Sequence, residues 1–336
     1  MRVLVLGGTS FVGRAVVEEA LRHDVRVTLF GRGRTGTDLF PRLTRLIGDR
    51  DTGDYRTLDR GRWDAVVDVS GYVPRHVGQA MDALRERVHR YLFISSHAVY
   101  QQTGVGPGSD EETPRRAPYR ATEEIDGETY GRLKVACEDD VWARYGERAT
   151  IVRPGRVAGP HDPSDTFTYW VRRAARGGRV ALPADPEQPV QIVDARDLAR
   201  LVVRLVLDDR PGAFTAVGPA EPVTLGGLIA TCGRVAGTVP EIVRVPAESA
   251  PPMFPLVRPV WSSQQRSAAR ARAAGLTATP LAVTVADVLA WDRERGTPPL
   301  NLGFTPHEEA ALLAGLDGRA TAGRPHNTRK PTRGTH

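Results

Sequence analysis

An α/β fold, with a doubly wound parallel sheet followed by a smaller mixed α/β region, is what this sequence predicts, on three observations. Over the first 155 residues, short apolar and β-branched runs alternate with stretches whose apolar residues recur at helical spacing, the pattern of βαβ units. The chain opens with VLVLGGTSFVG (3–13), a strand, a glycine turn and the start of a helix. Further on, YGRLK (130–134) sets a Tyr and a Lys one helical turn apart in a protein that otherwise uses Arg. Of 46 basic residues only Lys134 and Lys330 are lysines, and Lys330 lies in a polar tail. A compact ammonium kept at one position of the folded body points to a need that a planar guanidinium would not meet.

The elements follow in order. Arg2–Leu6 and Val25–Phe30 are strand-like, with a helix over Phe11–His23 between them. Leu43–Ile47, Ala65–Val69, Tyr91–Ile94 and Thr150–Val152 supply four more strands, and Arg75–Arg87 and Tyr130–Arg144 are the clearest further helices. Residues 101–127, rich in Gly, Pro and acids, form a long loop of the kind that is usually functional or mobile. From Gly155 the pattern loosens: helices over Phe167–Arg176 and Ala195–Leu207, a strand at Ala213–Val217, and a helix from Thr224. The Pro-rich stretch 249–259 reads as a connector, and two helices follow at 281–296 and 305–316, the second with Thr305 as N-cap and Pro306 at its first position. The expected division is a dinucleotide-binding domain over 1–155, to which segments near 190–217 return, a substrate-binding region over 156–318, and a basic tail over 319–336.

A chain of 336 residues with 40% hydrophobic and 26% charged residues has the composition of a globular protein with a sizeable core. The opening apolar run is too short for a signal peptide or a membrane span, and two cysteines, Cys137 and Cys232, offer neither a disulfide framework nor metal-ligand spacing. Cytoplasmic residence, no membrane and no metal are the expectations. The net charge of +6 suggests nucleic acid, but five basic residues and no acids lie in 319–336, leaving about +1 for the rest. No nucleic-acid surface is therefore expected on the body, and the partner is a small-molecule substrate.

In the opening motif, backbone N–H groups and a helix N-terminus would receive a pyrophosphate, with Gly7 making the tight turn and Gly13 letting helix and strand approach. The second strand ends TLFGRGR (28–34). An Asp or Glu normally meets the ribose hydroxyls there; here Gly31 holds that place, and Arg32 and Arg34 follow. A guanidinium suits a 2′-phosphate, so NADP is preferred over NAD, the alternative being that these arginines are solvated loop charge.

GGTSFVG with YGRLK resembles the short-chain dehydrogenase/reductase superfamily in its extended epimerase/dehydratase branch, and within it the less typical members that carry a GGTxFxG loop. The resemblance covers essentially the whole chain, including RPGRVAGP (153–160) and VDARDLA (193–199). It implies a Rossmann-type fold and cofactor contacts at Thr9, Ser10, Phe11, Val12, Pro154 and Val157. Asp49 matches the family's adenine-binding Asp, and Ser70 and Gly71 fall where small residues line the adenosine. In the family the fifth strand delivers a Ser or Thr four residues before a Tyr; counting back from Tyr100 gives Ser96. The implied catalytic set is Ser96, Tyr130 and Lys134. Lys134 would lower the phenol's pKa and bridge the nicotinamide ribose, Tyr130 would exchange a proton with the alcohol oxygen, and Ser96 would hold that oxygen. A homodimer joined through two helices beside the sheet is common in the family.

Departures from the family narrow the reaction. Sugar dehydratases of this branch carry an Asp–Glu pair after the catalytic Ser or Thr, whereas this chain has His97 and Ala98. Nucleotide-sugar epimerases present an Arg to the diphosphate seven residues before the position of Asp197; here that residue is Val190, and no Asn follows RPGRVAGP. His97, Asp165 and Tyr169 are the candidate substrate-side residues. His97 can equally be a strand-end histidine, and Asp165, Tyr169 and Trp170 can equally belong to packing. The expected activity is hydride transfer at a secondary alcohol or ketone, as reductase or epimerase. Composition rich in Arg, Ala and Gly fits a GC-rich bacterial genome and specialised metabolism. A cofactor-retaining sugar epimerase or dehydratase and an RNA-associated or regulatory cofactor-binding protein are the alternatives.

Overall fold

The computed structural model describes residues 1–322. Seven strands form one sheet: β1 (Arg2–Leu6), β2 (Arg26–Gly31), β3 (Thr44–Ile47), β4 (Trp63–Asp68), β5 (Val88–Ile94), β6 (Ala149–Pro154) and, after several intervening elements, β11 (Gly212–Ala216). Their spatial order is β11-β6-β5-β4-β1-β2-β3, and every pair is parallel. The strand order reverses between β1 and β4, and a crevice opens beyond their carboxyl ends; open α/β sheets bind ligands at such a point.

Helix α1 (Phe11–Arg22) lies on one face of the sheet beside α5 (Ala195–Leu207), burying Val16, Val17, Leu198, Leu201 and Val202 against Val3, Val5, Val27 and Leu92. Helices α2 (Pro74–Leu84) and α3 (Thr129–Tyr145) cover the other face, with Val77, Met81, Cys137 and Val141 against Leu4, Leu6, Val66 and Phe93. These strands read as near-continuous apolar runs because both faces are covered.

A second apolar cluster gathers α4 (Thr166–Ala175), β8 (Gly178–Leu182), α6 (Leu225–Ala236), β13 (Pro240–Arg244), α8 (Leu281–Glu294) and α9 (Pro306–Ala322). Short strands β7 (Arg156–Ala158), β9 (Pro189–Val190), β10 (Ile192–Asp194) and β12 (Val223–Thr224), the short helix α7 (Ala269–Ala273) and several single 3-10 turns complete the described elements.

Several boundaries differ from the sequence reading. β5 starts at Val88 rather than Tyr91, because Arg90 is buried in the strand through Asp209 and Thr150 instead of interrupting it. The run RPGRVAGP contains a strand of its own, β7, paired with β10. The last helix continues to Ala322, past the expected start of the tail; the remainder of that basic segment lies outside the described residues. Loop 101–127 carries no helix or strand longer than a bridge, yet it is tied down. Arg115 reaches Glu138 and Asp139, Arg120 reaches Asp140, and the Thr215 N–H donates to Glu111.

Candidate active site

A cavity of about 1290 Å³ runs along the carboxyl ends of the central strands, from the glycine loop past Ser96 and Tyr130 to the second apolar cluster. At its first end, Gly7 adopts φ +93°, and a Cβ there would sit 2.8 Å from the Ser70 Cβ. A Cβ on Gly13 would overlap the Gly7 carbonyl oxygen, so only glycine permits this approach of helix to turn. Ser10, the N-cap of α1, makes no side-chain cap bond, and no acid lies in the first turn. That leaves helix N–H groups directed at the cavity with no side-chain partner, as an oxyanion would require.

Gly7, Thr9, Ser10, Phe11 and Val12 line the cavity, while Gly13 acts from behind it. The residues fit a dinucleotide: a cradle that a side chain would fill, and an uncapped helix end. Gly31, Arg32, Asp49 and Ser70 line the same end, as do Pro154 and Val157 further along. Arg32 is exposed and 3.3 Å from Asp51; Arg34 lies outside the lining. Gly71 also stands behind the wall, where a Cβ would press on Val77, Phe93 and Asp68.

Below this end lies a pair absent from the sequence reading. Arg50 makes a two-pronged contact with Asp68, at 2.6 and 2.8 Å, and donates to the Ser70 hydroxyl at 2.9 Å. The Tyr91 hydroxyl donates to Asp68 at 2.7 Å. Asp68 is fully buried; burial opposes its charge, but Arg50 wins and holds the carboxyl below its ordinary pKa. The network clamps Ser70, whose hydroxyl also donates to Leu6 O, against the Gly7 turn. A carboxylate ending the apolar run DAVVD was the available signal.

At the middle of the cavity, Ser96 follows β5, and Tyr130 and Lys134 stand on the first turns of α3. Gly131 packs so tightly on the Ala98 carbonyl that a Cβ would overlap it, which brings the start of α3 against the Ser96 turn. Lys134 Nζ donates to the Gly71 and Ile94 carbonyls, each at 2.7 Å, and lies 4.4 Å from the Phe93 ring centre. Burial brings its pKa down to about 8.

The Tyr130 phenol is pushed up to about 12, by burial first, against the lowering influence of the Ser96 hydroxyl and the Arg156 guanidinium. This corrects the expectation that Lys134 depresses the phenol: Lys134 is turned to backbone carbonyls, and the cation acting on Tyr130 is Arg156. At neutral pH Tyr130 is a protonated phenol, the form that donates.

The structure separates the three substrate-side candidates. His97 lines the cavity; burial, helped by Arg266, Arg156 and Arg258, drops its pKa to about 3. It is a neutral imidazole whose buried Nδ1 has no hydrogen-bond partner, and not a general acid at neutral pH. Asp165 does not face the cavity: it is the N-cap of α4, with φ +52°, and pairs with Arg295. Tyr169 is a core residue, 4% exposed, packed against Trp170 and Phe254, its hydroxyl accepting from Phe304 N at 3.2 Å. Trp170 is likewise core, donating to Pro255 O.

What lines the substrate end instead is Gln102, Arg156, Ser164, Arg258 and Gln264, together with Pro251–Met253 of the supposed connector. Arg156 was visible inside RPGRVAGP; Arg258 lay hidden in a proline-rich stretch with no periodic pattern.

Residues 3–216 match the NAD dependent epimerase/dehydratase family. The chain belongs to that family. Among curated proteins it is 23% identical over 259 residues to the chloroplast stem-loop binding protein of 41 kDa b of Arabidopsis thaliana, covering 72% of this chain and 65% of that protein. It is 26% identical over 275 residues to the dTDP-6-deoxy-L-talose 4-dehydrogenase (NAD(P)(+)) of Kitasatospora kifunensis, covering 73% of this chain and 82% of that protein.

Solved structures share the fold. A crystal structure from Burkholderia cenocepacia superposes with a TM-score of 0.70 at 21% identity, over 87% of this chain and 98% of that one. The Thermus thermophilus UDP-glucose 4-epimerase in complex with NAD does so with a TM-score of 0.65 at 19% identity, over 87% and 99%. Among the described residues, no helix of this chain is long and apolar enough to cross a membrane.

Proposed function

We propose that the protein transfers hydride between a nicotinamide cofactor and a secondary alcohol or ketone of a small metabolite, with Tyr130 as the acid/base group. The observation that carries this reading is that Ser96 and Tyr130 line the same cavity as the glycine loop, with Lys134 beneath them. When bound, the cofactor supplies the hydride acceptor or donor. Gly7 to Val12 would hold its pyrophosphate, and Lys134 would position the nicotinamide ribose. Ser96 Oγ orients the substrate oxygen, and the protonated Tyr130 hydroxyl gives its proton to that oxygen in the reducing direction and recovers it in the oxidising one. The Arg156 charge favours the phenolate left behind.

NADP is the preferred cofactor in this proposal: Gly31 leaves no carboxylate at the end of β2, and Arg32 lines the adenosine end. The Kitasatospora relative, named for use of either coenzyme, is consistent with it. Against a nucleotide-sugar substrate stands Val190, which is buried in the core where that class presents an arginine.

The test is turnover of secondary alcohols and ketones followed through the absorbance of reduced nicotinamide, with Tyr130→Phe as control. Turnover that disappears in the variant supports the reading; turnover that survives it rejects the role of Tyr130.

The name of the Arabidopsis relative supports a second reading, a cofactor-binding protein that associates with RNA. The net charge of about +1 outside the basic tail speaks against an RNA surface on the body. Truncation after Gly318 separates the two, since RNA binding retained without the tail would favour the second.

A further inference from the structure

Buried and half-buried arginines in this protein are mostly neutralised by carboxylates. Arg50 pairs with Asp68, Arg153 with Glu138, Arg172 with Asp292 and Arg173 with Glu309. At the substrate end of the cavity two are not, just as Arg45 at the other end meets only the Gly36 and Leu39 carbonyls. The side chain of half-buried Arg156 makes no hydrogen bond or ion pair among the described residues. Half-buried Arg258 donates its backbone N–H to Gln188 Oε1, and its guanidinium donates only to its neighbour's carbonyl, Val257 O, at 2.6 Å.

A third, Arg266, 4% exposed, supports the same region from behind. It bonds the Ser109 hydroxyl and Gln101 O and stacks on the Tyr100 ring, again without a carboxylate. The nearby acid is Asp162; it feels the Arg156 charge but forms no ion pair with either arginine, its oxygens accepting from the Ser164 N–H and hydroxyl, each at 2.9 Å. Confining several guanidinium charges together away from water, with one carboxylate nearby and none ion-paired, costs free energy, and natural sequences keep such a cost where a ligand relieves it. The cost is visible in Arg258, whose pKa falls to about 10 through burial and the proximity of Arg156.

We propose that the substrate carries an oxyanion, a carboxylate or a phosphate, seated between Arg156 and Arg258 beside the carbon that reacts. This rests on the hydride-transfer reading of the same cavity and adds the substrate's class to it. The placement beside the reacting carbon follows from the shared surroundings. Tyr130, His97, Arg156 and Arg258 line one cavity; Arg156 acts on the Tyr130 phenol and on His97, and Arg258 acts on His97 as well. His97, whose buried Nδ1 is unpartnered, belongs to the same lining. Two guanidiniums present parallel N–H donors that match either oxyanion geometrically, and they distinguish an acid from a neutral sugar.

The experiment uses the full chain saturated with NADPH, so that the pyrophosphate loop is filled, and titrates inorganic phosphate in one arm and oxalate in the other by calorimetry. The wild type is expected to bind at least one of them. Arg156→Gln and Arg258→Gln are each expected to weaken that binding by tenfold or more, with NADPH affinity unchanged within twofold. Whichever arm binds names the oxyanion.

A thermal melt provides the second readout. Removing an unpaired, half-buried charge leaves Tm unchanged or raises it, whereas a clear drop in both variants would show that the arginines serve the fold and overturn the proposal. Binding of neither probe, or binding indifferent to both substitutions, would also overturn it. Failure of NADPH itself to bind would instead strike the hydride-transfer reading, and it is seen separately in the saturation step.

Discussion

At one end of the cavity a glycine turn and an uncapped helix start shape the ligand surface; at the far end long side chains do. Gly7, Gly13 and the uncapped start of α1 shape the first by allowing close approach, and a Cβ at either glycine would meet Ser70 or the Gly7 carbonyl. Arg156, Arg258 and Gln264 shape the second, brought together from β7 and a proline-rich segment a hundred residues later in the chain. A backbone site depends on a few contiguous residues and recurs across a family with many substrates. A side-chain site assembled from distant segments can change with each substrate. Tyr130 stands where the two meet.

Substitutions at the junction and on either side test that contrast. The largest effect is expected at the junction. Tyr130→Phe should cut kcat by about 10²- to 10⁴-fold while leaving cofactor affinity nearly unchanged, because the acid/base group is lost and the loop is not. Steady-state rates beside calorimetric cofactor binding check it.

Next comes the support beneath the backbone end. Arg50→Met leaves Asp68 buried without its partner and should destabilise the protein by about 3–5 kcal/mol, read from urea unfolding. A cost below about 1 kcal/mol would mean that water enters and replaces Arg50.

Gly13→Ala should cost about 1–3 kcal/mol through overpacking and weaken cofactor binding, with no direct effect on oxyanion binding at the other end. Equal weakening of both ligands would break the comparison.

A subtler effect concerns pH. His97 takes a proton near pH 3 in the folded protein and near 6.5 when unfolded, so the unfolded chain holds the extra proton between these values. Stability is therefore complete above pH 6.5 and declines as pH falls from 6.5 toward 3. His97→Asn should flatten that slope in a series of melts, and an unchanged slope would assign it to carboxylates alone.

The smallest effect is expected at Tyr169. Tyr169→Phe removes one hydrogen bond from Phe304 N and should cost about 1 kcal/mol of stability without changing KM, as befits a core residue.

The same contrast explains what could be read from the sequence. The glycine loop, Ser96 and the YGRLK helix are local motifs whose spacing is meaningful without knowing the fold, and the parallel sheet announced itself through apolar runs separated by helical stretches. The substrate end was misread because its grouping is tertiary. The run TFTYW offered aromatics at helical spacing, but α4 turns Tyr169 and Trp170 into the core, and Asp165 caps the helix. Arg258 sat among prolines that gave no periodicity. Arg50 followed Asp49 in a short GDR stretch, and nothing local shows that it reaches Asp68 across two strands.

The activating role assigned to Lys134 also needed tertiary knowledge. Helical spacing puts it one turn from Tyr130, yet its amine turns to the Gly71 and Ile94 carbonyls, and the cation that lowers the pKa of the buried phenol is Arg156 of β7.

The account stands most directly on cofactor binding at the backbone end. Calorimetric titration of NADPH and of NADH into the purified protein, repeated with Arg32→Ala, is the measurement to make. It predicts saturable one-to-one binding, tighter for NADPH, with that preference lost in the variant while NADH binding persists. Binding of neither nucleotide by the wild type would contradict the account at its foundation.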